Sequence, residues 1–102
     1  MQIVTTPRFE KGIKLLQKKH LNDVIKDIKE TIIKLANYEI STQKSNHRLT
    51  NTDVNDIHIR PNIILLYRYD VNNALIVELK LLDITDHDGL DKSLENIKKN
   101  GY

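Results

Sequence analysis

The sequence predicts an α+β fold: an N-terminal strand and a helical hairpin packed on a small antiparallel sheet, followed by a short C-terminal helix. Three observations lead there. Residues 7–36 carry apolar side chains at helical spacing. Residues 56–84 change to strand-like runs interrupted at Pro61 and at Asp70-Val71-Asn72-Asn73. Residues 90–97 return to a spacing of three or four. With 102 residues the chain reads as one domain, 1–102, large enough for one modest core.

Gln2 to Thr5 suits a first strand. Thr6 then serves as N-cap with Pro7 at the first helical position, where the missing N–H is no loss. Phe9, Ile13 and Leu16 form the buried stripe, while Gly12 weakens this helix by up to about 1 kcal/mol relative to alanine. The pattern pauses at His20-Leu21-Asn22-Asp23, so Asn22 or Asp23 is expected to cap a second helix bearing Ile25, Ile28, Ile32 and Leu35 on one face. His20, at a helix C-terminus, is placed to interact with the helix dipole and reads as structural.

From Ser41 to Asn55 the chain is polar without a sustained period, which predicts a loop holding His47. Strands follow over 56–60, 63–70 and 74–84, with a hairpin turn at Asp70-Val71-Asn72-Asn73. Pro61 belongs in a connection, because inside a central strand it would remove a ladder hydrogen bond. Leu90, Leu94 and Ile97 mark the terminal helix, either packed on the domain or awaiting a partner. The helical hairpin is expected to cover one sheet face, leaving the other partly open for a substrate.

Composition narrows the class. Hydrophobic residues at 39% and charged residues at 29% suit a soluble globular domain rather than a disordered or membrane chain. The longest apolar run, Ile63 to Leu66, is strand-sized, and the N-terminus lacks the basic start and apolar centre of a signal peptide. The absence of cysteine excludes disulfides and thiolate metal sites and fits a cytoplasmic location. A net charge of +2 permits contact with nucleic acid but falls short of a dedicated binder. The lysines over 11–34 and 92–99 read most simply as solvated helix surface.

Chemistry concentrates in Asp56-Ile57-His58-Ile59-Arg60 and Thr85-Asp86-His87-Asp88-Gly89. At period two, Ile57 and Ile59 face the core while Asp56, His58 and Arg60 face out. Two imidazoles from neighbouring segments, His58 and His87, can serve as an acid and base pair. Plainer readings exist for each: His58 as a hydrogen-bonded residue on an exposed strand, His87 as a turn residue beside helix-capping aspartates. The histidine spacings fit no compact metal motif, and no glycine-rich phosphate loop is present. Tyr67 and Tyr69 share a strand face with Ile63 and Leu65, which favours core packing over base stacking.

These segments carry a family likeness. Phe9-Glu10-Lys11, Asn46-His47-Arg48-Leu49, the block from Asp56 through Pro61 to Tyr67, and Thr85-Asp86-His87-Asp88-Gly89-Leu90 resemble the RelE superfamily of bacterial toxins from type II toxin–antitoxin systems, in its YafQ-like branch. The likeness covers about residues 1 to 91. It implies a ribosome-dependent mRNA endoribonuclease, held inactive by a cognate antitoxin in a toxin–antitoxin hetero-oligomer. It also implies cleavage without metal or other cofactor, through attack of the RNA 2′-hydroxyl on the adjacent phosphate. By position, His47, His58 and His87 match the family's histidines, and Asn62 stands where it has an acid.

The sequence also departs from the family. Asn62 replaces a carboxylate and Ile63 an aromatic; Asp91 replaces a terminal aromatic, and Asp83 stands where an arginine usually supports the scissile phosphate. An aspartate there repels phosphate unless it points away or pairs with a cation. Arg60, on the same predicted strand face as His58, is expected to supply the missing charge, with Arg48 next and Asn62 as a further substrate contact. Two other readings follow: a catalytically weakened module that mainly binds its antitoxin, and a gyrase-directed relative of the ParE type.

Overall fold

The computed structural model describes residues 2–37, 46–48, 54–72 and 75–100, with the side chains of 46–48, 71–77 and 100 left aside. Its elements run β1 (Gln2–Thr5), α1 (Pro7–Lys18), α2 (Asn22–Ala36), β2 (Asn46–Arg48), β3 (Asn55–Arg60), β4 (Ile63–Asn72), β5 (Leu75–Thr85) and α3 (Leu90–Asn100). The five strands form one sheet in the order β1-β5-β4-β3-β2. β1 joins β5 in parallel and the remaining pairs are antiparallel, so the α+β class is as expected and the sheet is mixed.

β4 decides the layering. Its alternate residues Ile63, Leu65, Tyr67 and Tyr69 pack with Phe9, Leu16, Ile25, Ile28 and Leu35 of the hairpin. The residues between, Ile64 and Leu66, pack with Val54, Leu82 and Ile97, against which Leu90 and Leu94 of α3 close. A strand apolar on both faces is one that needs cover on both. The expected open face is therefore largely covered, because the terminal helix supplies a second core. Tyr69 Oη donates to the Leu35 carbonyl at 2.6 Å, tying β4 to the last turn of α2.

Local chemistry explains the joints. Thr6 Oγ1 accepts the Phe9 N–H at 3.3 Å, which is the expected N-cap. The same hydroxyl lies 2.8 Å from the Leu82 carbonyl and 3.0 Å from that of Leu81, its single proton shared between them. Those carbonyls flank the residue where β5 slips register against β4. Gly12, a weak helix residue, sits where an added Cβ would come within 3.0 Å of Ile84 Cβ, so α1 can lie close on β5 only without a side chain there.

The α1–α2 joint departs from expectation. Leu21, not Asn22 or Asp23, occupies the cap position of α2 and makes no side-chain cap bond. Its N–H instead reaches the Leu16 carbonyl while His20 N–H reaches Gln17, with His20 at φ 58°. This is a Schellman closure, stabilised by the packing of Leu21 on the core beside Leu16. In the region read as a loop, residues 46–48 form β2, so His47 stands on a strand paired with Asp56; 41–45 and 49–53 lie outside the described residues. β4 continues through Asn72, which pairs with Leu75, so Asp70, Val71 and Asn72 belong to the strand and not to the expected turn; residues 73–74 lie outside those described.

Candidate active site

His58 lies near the end of β3, opposite Ile64 of β4, which is in turn opposite Thr85 of β5. The chain leaving β5 at Thr85 therefore passes the same rim of the sheet, and the turn that follows brings His87 back over it. The two imidazole centroids lie 5.2 Å apart, with ring planes inclined at 37°. Asp86 Oδ1 accepts the Gly89 N–H at 2.7 Å and closes the turn. A Cβ on Gly89 would meet Thr85 Oγ1 at 2.7 Å and Asp86 Oδ1 at 3.1 Å, so a larger residue here requires those side chains to shift.

The connection between β3 and β4 holds His87 at two points. Asn62 Oδ1 accepts the His87 backbone N–H at 3.1 Å, and His87 Nε2 lies 2.9 Å from the Pro61 carbonyl oxygen. A carbonyl can only accept, so Nε2 carries the proton of this bond and Nδ1 holds the lone pair of the neutral ring.

Arg60 does not share the histidine's surroundings. β3 slips register between His58 and Arg60, which breaks the period-two alternation. The Arg60 guanidinium turns to α2, pairing with Asp27 and more distantly, at 4.0 Å, with Asp23, while Nη1 donates to its neighbour Ile59's carbonyl. The expected shared face with His58 is therefore corrected by a bulge that alternation alone could not reveal. Of the other candidates, Asn62 joins the pair through His87. His47 and Arg48 are placed by backbone alone, opposite Asp56 and Asn55.

Asp83 is 6% exposed, which rules out a solvated carboxylate facing a substrate. Its Oδ2 lies 3.4 Å from Arg8 Nε and accepts from Ser93 Oγ at 2.7 Å, while Oδ1 accepts the Ile84 N–H at 2.8 Å. This is the cation pairing that the sequence reading required of an aspartate at this position. Sequence reasoning passed over Lys19. It lines a cleft of about 380 Å3 between α1 and the ends of β4 and β5, together with Asn62, Thr85 and Asp86. Nothing in its spacing separates it from the other lysines of a solvated helix. Among the described residues no cluster of three histidine, aspartate or glutamate side chains could hold a metal ion.

With this geometry in view, comparison with known proteins decides the family. A family model for the bacterial toxin of the type II toxin–antitoxin system, YafQ, matches residues 1–92. The chain belongs to the YafQ toxin family. Among solved structures, this toxin is similar to the DinJ–YafQ complex of E. coli, with 25% identity, 87% of this chain and 96% of that chain covered, and a TM-score of 0.69. It is similar to a copper-bound mutant toxin from Helicobacter pylori, at 25% identity over 88% of this chain and 98% of that one, TM-score 0.71. The YoeB/ParE toxin from Agrobacterium tumefaciens shares the fold at 13% identity, with 85% and 99% covered and a TM-score of 0.71. A comparison with curated proteins finds no match. No helix among the described residues of the toxin is long and apolar enough to cross a membrane.

Proposed function

We propose that this YafQ-family toxin is a ribosome-dependent mRNA endoribonuclease that works by metal-independent acid–base cleavage. The observation that carries the reading is the His58–His87 pair, two imidazoles 5.2 Å apart on one rim of the sheet. One imidazole takes the proton of a 2′-hydroxyl as its oxygen attacks the neighbouring phosphorus. The P–O5′ bond breaks, and the other imidazole gives a proton to the departing O5′. The products are a 2′,3′-cyclic phosphate and a 5′-hydroxyl. His47, whose backbone faces Asp56 on the adjoining strand, is the third histidine of the proposal. Lys19, at the cleft it shares with Asn62, is the proposed source of positive charge for the phosphate, since Arg60 is matched by Asp27 and Asp83 by Arg8. Arg48 is the alternative source. The proposed partner is a cognate antitoxin, by likeness to the E. coli complex and because the lysines of α1 and α2 suit an acidic segment.

A second reading has one specific observation in its favour. The arginine expected at the phosphate position is an aspartate turned inward, and Arg60 is engaged elsewhere, which suits a family member that binds its antitoxin and cleaves weakly or not at all. A ribosome-programmed cleavage assay separates the two. Fragments ending in 2′,3′-cyclic phosphate support the nuclease, and intact message at saturating toxin supports the binding-only reading.

A further inference from the structure

We propose that Asn62 is a positioning residue which, with the Pro61 carbonyl, makes Nδ1 the nitrogen of His87 that exchanges the proton with RNA. The inference rests on the nuclease reading above and assigns an atom within it. Asn62 is an amide and cannot itself take the proton. Its Oδ1 is already engaged by the His87 N–H at 3.1 Å, and the neighbouring residue's carbonyl holds His87 Nε2 at 2.9 Å. Two adjacent residues thus grip one histidine by its backbone and by the far side of its ring. Pro61 fixes its own φ, which stiffens the connection that carries both acceptors.

The consequence is independent of the direction of proton transfer. Acting as base, the neutral ring takes the 2′-hydroxyl proton on Nδ1 while Nε2–H stays on the Pro61 carbonyl; the imidazolium formed remains a donor at both nitrogens. Acting as acid, the same imidazolium releases the Nδ1 proton to O5′ and returns to the Nε2–H form. An amide at position 62 makes this clamp without placing a negative charge beside the scissile phosphate, as a carboxylate would.

The test is long-range 1H–15N spectroscopy of the imidazoles in the full chain, for wild type, Asn62→Ala and Asn62→Asp, combined with cleavage kinetics. The expected wild-type signal is a single neutral tautomer of His87, protonated at Nε2. Asn62→Ala should give exchanging tautomers and lower kcat by about 10-fold to 10²-fold with KM little changed, the scale of a misplaced catalytic group. Asn62→Asp, which can accept the same N–H, should restore the single tautomer. An Nδ1-protonated ring in the wild type overturns the assignment, as does an undisturbed Nε2–H tautomer in Asn62→Ala. Because the spectra need no RNA, an inactive wild type with the expected tautomers would reject the nuclease reading and uphold the clamp.

Discussion

Asp83 and Arg8 meet with Oδ2 to Nε at 3.4 Å, joining β5 to the first turn of α1, and the same carboxylate oxygen accepts from Ser93 on α3. One buried side chain therefore ties two helices to the sheet. Asp83→Ala is expected to destabilise the toxin by about 1–3 kcal/mol, mostly through the unsatisfied Ser93 hydroxyl. The share of the ion pair is smaller, because Arg8 is a third exposed. Asp83→Arg should be worse, since it sets two guanidinium groups together beside an orphaned serine. Urea denaturation midpoints measure both, and a wild-type midpoint for Asp83→Arg would contradict the account.

Arg60 gives a prediction of opposite character. Its guanidinium is occupied by Asp27 and by the Ile59 carbonyl, so Arg60→Ala should leave cleavage within a few-fold of wild type. Lys19→Ala, by contrast, should lower it on the order of 10-fold or more, as expected of a group stabilising developing charge. Initial rates on programmed ribosomes decide between them. A large loss in Arg60→Ala alone would mean that the arginine leaves Asp27 to meet the phosphate.

Thr6 combines two tasks, capping α1 and meeting the carbonyls beside the β5 irregularity. Thr6→Ala should cost about 1–2 kcal/mol, near the upper end for an N-cap because the residue is buried. Thr6→Ser keeps the hydroxyl and should recover most of it. Equal denaturation midpoints for the alanine and serine variants would remove the hydroxyl from the account.

The same particulars show how far the sequence could be read. The N-cap at Thr6, the helical stripes of Phe9, Leu16, Ile28 and Leu35, and the strand starting near Asp56 are local patterns, legible because period and capping act over a few residues. The bulge that sends Arg60 to Asp27 was not legible, because it arises from how β3 meets β4. Nor was the α1–α2 joint: a histidine at φ 58° with leucine behind it carries no glycine signal. The cover given by α3 was written in Leu90, Leu94 and Ile97, but an amphipathic helix does not say which surface it will cover. Asp83 and Arg8 stand 75 positions apart in the sequence, so no local pattern announces their pairing.

Partner binding is tested most simply by co-expression with the adjacent reading frame. The toxin is expected to retain the product of that frame through affinity purification at low salt, with the lysine-rich α1 and α2 contributing. Loss of co-purification at low salt would count against the toxin–antitoxin assignment of the partner.

The central claim is that His58 and His87 are the acid and base. The decisive measurement is the single-turnover cleavage rate of mRNA on programmed ribosomes for wild type, His58→Ala and His87→Ala, with circular dichroism confirming that each variant is folded. The account predicts a fall of about 10²-fold to 10⁴-fold for either substitution, the usual contribution of a positioned proton-transfer group. Wild-type rates in both variants, or no cleavage by the wild type itself, would contradict it.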